Sequence, residues 1–173
     1  MKIIYFKSLI LIATFLIFTN CKDSTLETYK LPQNAIELIC GKEEKVWKLA
    51  KRLNNNIRMN MGDCFLSYRQ HFRNNMTMND NNGKHNGCGE SLNAKWEIVK
   101  NENGISFIKI ESNQLPKLMN IEDNFKYFQI LELTKEKLTV TYQHKQFSNK
   151  VMWIKDFYVP ESVKVKNRDF HNK

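Results

Sequence analysis

Residues 125–144 read FKYFQILELTKEKLTVTYQH, and this stretch decides the fold. Phe125, Tyr127, Leu131 and Leu133 recur on alternate positions, Thr134-Lys135-Glu136 interrupts, and Leu138, Val140 and Tyr142 then resume the alternation. A period of two marks half-buried strands, and a three-residue interruption between two such runs marks a hairpin. Working outward, the same pattern recurs at 46–53 (VWKLAKRL), 65–73 (FLSYRQHFR), 76–80 (MTMND), 92–99 (LNAKWEIV), 105–110 (ISFIKI) and 151–158 (VMWIKDFY). The intervening patches are rich in Asn, which tolerates left-handed backbone and closes its own turns. Connections such as Asn101-Glu102-Asn103-Gly104 are turn-sized, whereas a parallel crossover needs a dozen residues or more. Only 34–40 (NAIELIC) suits a helix, with Ala35, Leu38 and Ile39 on one face and Gly41 as its C-cap. Eight short antiparallel strands lose their exposed edges by closing. The expectation is an all-β protein: an eight-stranded antiparallel meander barrel with a short helix before its first strand.

The alternation also assigns an inward face. It groups Trp47, Leu49 and Leu53 in the first strand, Leu66, Tyr68 and Phe72 in the second, and Leu92, Ala94, Trp96 and Ile98 in the fourth. The last strand is apolar on both sides, with Val151, Trp153 and Phe157 against Met152, Ile154 and Tyr158. That predicts cover on both of its faces.

The order of landmarks is familiar. A short helix with a Gly-containing turn, then a Trp opening strand one (ELICGKEEKVWKL), resembles the start of the lipocalin-like domains of Bacteroidetes lipoproteins. Asp63-Cys64 before strand two, Cys88 after a Gly/Asn-rich hairpin, and Trp96-Glu97-Ile98 extend that resemblance over roughly residues 35–158. It implies a lipocalin-like barrel with Trp47 and Gly41 in structural roles. The second and third lipocalin motifs have no counterpart here, including the arginine expected to stack on the first-strand Trp.

The ends frame that domain. Lys2 and Lys7 precede an apolar run at 9–18 that Thr14 alone interrupts. The run is shorter than the roughly 20 residues a membrane-spanning helix needs and has the length of an export-signal core. Phe18-Thr19-Asn20-Cys21 resembles a lipobox, and Cys21-Lys22-Asp23-Ser24 resembles the export tag of Bacteroidetes lipoproteins. The expected organisation is a signal peptide at 1–20, a polar tether at 21–34, the barrel domain at 35–158 and a polar basic tail at 159–173. Cys21 is then the lipidation site, tying a monomer to the outer membrane on its periplasmic face or at the cell surface.

Cys64 and Cys88 flank a loop of about two dozen residues, and a bridge there would stabilise the domain by roughly 3–4 kcal/mol on the chain-entropy model. An exported chain matures where disulfides form. Pairings that use Cys40 are the alternatives. His71, His85, Cys64 and Cys88 supply nitrogen and sulfur but lack the paired close spacing of structural zinc sites. The reading is therefore no metal. No nucleophile elbow, zinc-protease helix or phosphate loop is present. Glu43-Glu44 and Glu122-Asp123 fall in turns, so the chain reads as a non-enzyme without cofactor. The 27 basic residues against 18 acidic ones are scattered rather than grouped, which argues against nucleic acid. Two functions remain. One is a barrel holding a small hydrophobic ligand against Tyr68, Trp96, Phe107, Tyr127 and Tyr142. The other is a filled barrel acting structurally or through protein partners.

Overall fold

A computed structural model describes residues 29–145 and 150–168. The segment 1–20 expected to be a signal peptide and Cys21, the expected lipidation site, fall outside the described residues. Helix α1 (Ala35–Cys40) stops at Gly41, where φ is 68° and the backbone N–H donates to the Glu37 carbonyl. A Cβ there would also lie 3.3 Å from the Glu44 carbonyl oxygen, so backbone and space both call for glycine.

The chain continues through β1 (Glu44–Asn54), a stub β2 (Ile57–Arg58), α2 (Asp63–Ser67), β3 (Arg69–Arg73), β4 (Thr77–Asp80) and β5 (Asn93–Lys100). β6 (Ser106–Glu111), α3 (Leu115–Met119), β7 (Phe125–Leu133), β8 (Leu138–Lys145) and β9 (Val151–Pro160) complete it. Neighbours pair in the order β1-β3-β4-β5-β6-β7-β8-β9, and β9 returns antiparallel to β1 from Trp47↔Pro160 to Asn54↔Ile154. Eight strands therefore close into the expected lipocalin-like barrel. β2 hangs from β1 by the turn Asn55-Asn56, both at positive φ.

α1 covers one end. Ile39 and Cys40 are buried, and the Trp47 indole donates to the Ile39 carbonyl at 2.8 Å. Lys45 Nζ lies 4.0 Å from the centroid of the Trp47 ring and donates to the Leu38 and Lys135 carbonyls. A lysine thus supplies the cation over this Trp, where the resemblance pointed to an arginine. At the other end α2, α3 and the 81–92 loop gather, and Cys64 is bonded to Cys88. Cys40 is free and buried.

Four expectations need correction. Residues 65–67 are helical, not strand: the Phe65 and Leu66 N–H groups return to the Gly62 carbonyl, and Ser67 Oγ donates to the Asp63 carbonyl. Leu53 does not share the inner face, because a bulge between Leu49 and Lys51 reverses the phase of β1 and turns Arg52 inward. A second bulge between Ile130 and Glu132 puts Phe128, Ile130 and Leu133 in the core of β7 and leaves Phe125 and Tyr127 on the outer face. Finally, β9 is not covered on both sides. Val151 and Trp153 are each 52% exposed.

Candidate ligand site

The inside of the barrel is dense. Among the described residues, the void between Gln70, Phe72, Ile108, Phe128, Val140 and Tyr158 measures about 20 Å³. That is room for about one water and far below the roughly 300–1,000 Å³ of small-molecule sites.

A polar cluster occupies the axis beside this void. Asp156, on the inner row of β9 between Ile154 and Tyr158, is 0% exposed. It accepts two hydrogen bonds from Arg52, from Nε at 2.6 Å and from an Nη at 2.7 Å. Its Oδ2 also accepts from the hydroxyls of Tyr142 and Tyr158, each at 3.1 Å. The Arg52 guanidinium lies 4.6 Å from the Phe65 ring centroid, so α2 covers it. Burial, and then the charge of Asp156, push the phenols of Tyr142 and Tyr158 well above the usual tyrosine range. A carboxylate with four donors and a cation facing it is satisfied and holds no free position for chemistry.

The larger space is in the wall. β7 and β8 pair only from Gln129↔Thr141 to Leu133↔Leu138, so the first half of β7 has no ladder to the last half of β8. A cleft of about 520 Å³ opens there, lined by Phe107, Phe125, Tyr127 and Trp153 outside and by Ile121, Lys126 and Tyr142 toward the interior. Asp123, Gln129, Thr141 and Gln143 complete the lining. The outer aromatics meet edge to face, with Tyr127 5.5 Å from Phe125 and 6.0 Å from Phe107. Lys126 crosses the gap, its Nζ donating to the Gln143 carbonyl at 3.1 Å.

The five residues expected at a ligand therefore part company. Tyr142, Phe107 and Tyr127 line the cleft, the first from inside and the other two from outside. Trp96 is core: it is 2% exposed, stacks edge-on with Phe72 at 5.3 Å and donates to the Arg73 carbonyl. Tyr68 is core as well, its hydroxyl accepting from Gln70 Nε2 at 2.9 Å. Sequence reading missed Arg52, Lys126, Trp153 and Asp156. For Lys126 and Asp156 the signal was present: each is a charge in phase with a buried apolar row, Phe128 and Ile130 for one, Ile154 and Tyr158 for the other.

Neither cysteine sulfur is available to zinc, because Cys64 and Cys88 bond each other. His71 faces Glu44 at 3.0 Å and His85 faces Asn81 at 3.1 Å. No cluster of three metal-ligating side chains occurs among the described residues.

Residues 44–140, more than half of the chain, match the sequence profile of the lipocalin-like domain family. The chain belongs to that family. This lipocalin-like barrel is similar to a lipocalin-like protein from Bacteroides uniformis, at 10% identity and a TM-score of 0.46, over 70% of this chain and 97% of that one. It is also similar to bovine odorant binding protein complexed with its natural ligand, at 12% identity and a TM-score of 0.39, over 83% of each chain. No curated protein sequence matches it. The family assignment rests on the profile and the closed meander. Within this lipocalin-like barrel, α1 and Trp47 seal one end, and the wall is open on the side where β7 and β8 diverge.

Proposed function

We propose that this chain is a membrane-anchored, lipocalin-like binding protein that takes a small, mainly apolar molecule through the β7–β8 cleft. The observation that carries the reading is the cleft itself. Its volume of about 520 Å³ lies within the range of small-molecule sites, and its outer lining is aromatic. Lipocalin-like proteins are generally binding proteins rather than enzymes, which supports the same reading. The near-absence of axial space moves the expected ligand from the barrel axis to the wall. Lipid on Cys21 would hold the domain at the outer membrane, since more than one acyl chain makes a durable anchor.

Tryptophan emission tests the site. Trp47 and Trp96 are buried while Trp153 is half-exposed in the cleft, so an apolar probe bound there shifts emission to the blue through Trp153. The expected result is a saturable shift that Trp153→Phe abolishes. A saturable shift that survives in Trp153→Phe, or no saturable binding, overturns the cleft as the site. For the anchor, labelled palmitate is expected on the wild-type chain and absent from Cys21→Ala; equal labelling of both refutes lipidation at Cys21.

The dense interior favours a second reading, in which the filled barrel acts through protein partners. Envelope proteins captured by the wild type but not by a Tyr127→Ser/Trp153→Ser variant would support it, in the absence of any small-molecule binding.

A further inference from the structure

We propose that the cleft recognises an organic acid, whose carboxylate is received by Lys126 at the inner end while its apolar body lies along Phe107, Tyr127 and Trp153. This deepens the binding reading above and rests on it.

The phase of β7 is the first support. Lys126 falls on the same row as Phe128 and Ile130, so its side chain leaves the backbone on the inner face of the barrel. A lysine on such a row ordinarily finds a carboxylate, because an unpaired buried cation loses its hydration without compensation. Arg52 has done so with Asp156. Lys126 has not: among the described residues it forms no ion pair, and the groups that meet it are the Gln143 carbonyl at 3.1 Å and the Tyr142 ring, 5.2 Å from Nζ to the centroid. An ammonium carries three N–H donors, and one carbonyl accepts only one of them. The other two are left for the cleft that Lys126 itself lines. Burial pushes this ammonium below the usual lysine value, the direction of a cation lacking a counter-charge.

The surroundings agree in sign. Burial, with Lys126 and Arg52 adding repulsion, holds His144 below its usual value, so this part of the barrel already disfavours further positive charge. Asp123, on the exposed turn before β7, is the acidic residue of the cleft and makes no salt bridge to Lys126. The distribution from inside to outside is a cation at one end and aromatic rings at the other. A molecule complementary to it has an acid group and an apolar body, and charge-assisted hydrogen bonds to the acid are the stronger kind.

Calorimetry on the purified full-length chain with decanoate and decan-1-ol, which differ mainly in the acid group, tests this. The expected result is that decanoate binds at least about tenfold tighter than decanol, the order expected of one charge-assisted hydrogen bond. Lys126→Met should erase that preference by weakening decanoate alone. Lys126→Arg should restore most of it, and Lys100→Met, in an exposed position at the end of β5, should leave it unchanged. Equal affinity for the two probes in the wild type, or a preference that survives Lys126→Met, overturns acid recognition while the binding reading stands. Binding of neither probe overturns both. The wild-type comparison decides the point even if a Lys126 variant folds poorly.

Discussion

Asp156→Asn and Arg52→Met, alone and together, should expose how the barrel interior is held. Asp156 is wholly buried and receives Arg52 through two hydrogen bonds of 2.6 and 2.7 Å. Removing one member of a buried pair strands the other charge, at a cost of about 3–5 kcal/mol. Each single variant should therefore lose that amount, a large share of the roughly 5–15 kcal/mol that stabilises an ordinary domain. The double variant has no charge left to strand. The introduced amide would still offer a carbonyl oxygen to the hydroxyls of Tyr142 and Tyr158, which now sit 3.1 Å from the Asp156 carboxylate. Met would fill the space of the guanidinium stem against Phe65. The double variant should accordingly lie within about 2 kcal/mol of wild type, giving a coupling energy of at least about 4 kcal/mol. Urea unfolding followed by tryptophan emission measures this, provided the dependence on urea is the same for all four proteins. Single losses under about 1 kcal/mol, or a double loss equal to the sum of the singles, would refute the view that a desolvated ion pair organises this interior.

Other outcomes follow from the same geometry. Replacing Cys64 and Cys88 by alanine should cost roughly 3–4 kcal/mol, the chain-entropy value for a loop of this size, visible as a lower urea midpoint than that of the oxidised wild type. Burial raises the phenols of Tyr68, Tyr142 and Tyr158, so the native state keeps protons that the unfolded chain releases above its ordinary tyrosine value. Their contribution is intact below pH about 10 and is lost as pH rises beyond it, so tyrosinate absorbance should appear together with unfolding. Early ionisation of these three in a folded barrel would contradict their burial. Trp47→Phe should cost about 1–3 kcal/mol by leaving the Ile39 carbonyl without its indole donor, readable in the same urea assay.

Much of the barrel was legible because its determinants are local. Period-two alternation located every strand of the barrel, Asn55-Asn56 supplied a turn at positive φ, and Gly41 ended the helix before β1. What misled the reading were bulges, which leave no mark on a binary pattern. In β7 the odd positions carry Phe125, Tyr127, Leu131 and Leu133, a fuller apolar row than Phe128 and Ile130. The bulge beside Leu131 lets Leu133 join the even row in the core, and Phe125 and Tyr127, which led the odd row, lie outside. Local preference ranked the rows correctly by hydrophobicity and so chose the wrong face. The site was half legible for the same reason: Tyr142, Phe107 and Tyr127 do meet around one space, but from opposite sides of the wall.

The bulge in β1 has the wider consequence. With strict alternation Leu53 would face the axis and Arg52 the solvent; with one residue set aside near Ala50, Arg52 turns inward opposite Asp156. A guanidinium, a carboxylate and two tyrosines then fill the volume an axial ligand would use, and each needs the others to remain buried. That sets a buried polar cluster within an otherwise apolar core. The rings of Phe107, Phe125, Tyr127 and Trp153 are left outside, around the one stretch where β7 and β8 are not laddered. Aromatic surface collected beside a gap in the wall, with an ammonium that has no ion-pair partner among the described residues at its inner end, is the reason the proposed site lies in the wall and not on the axis.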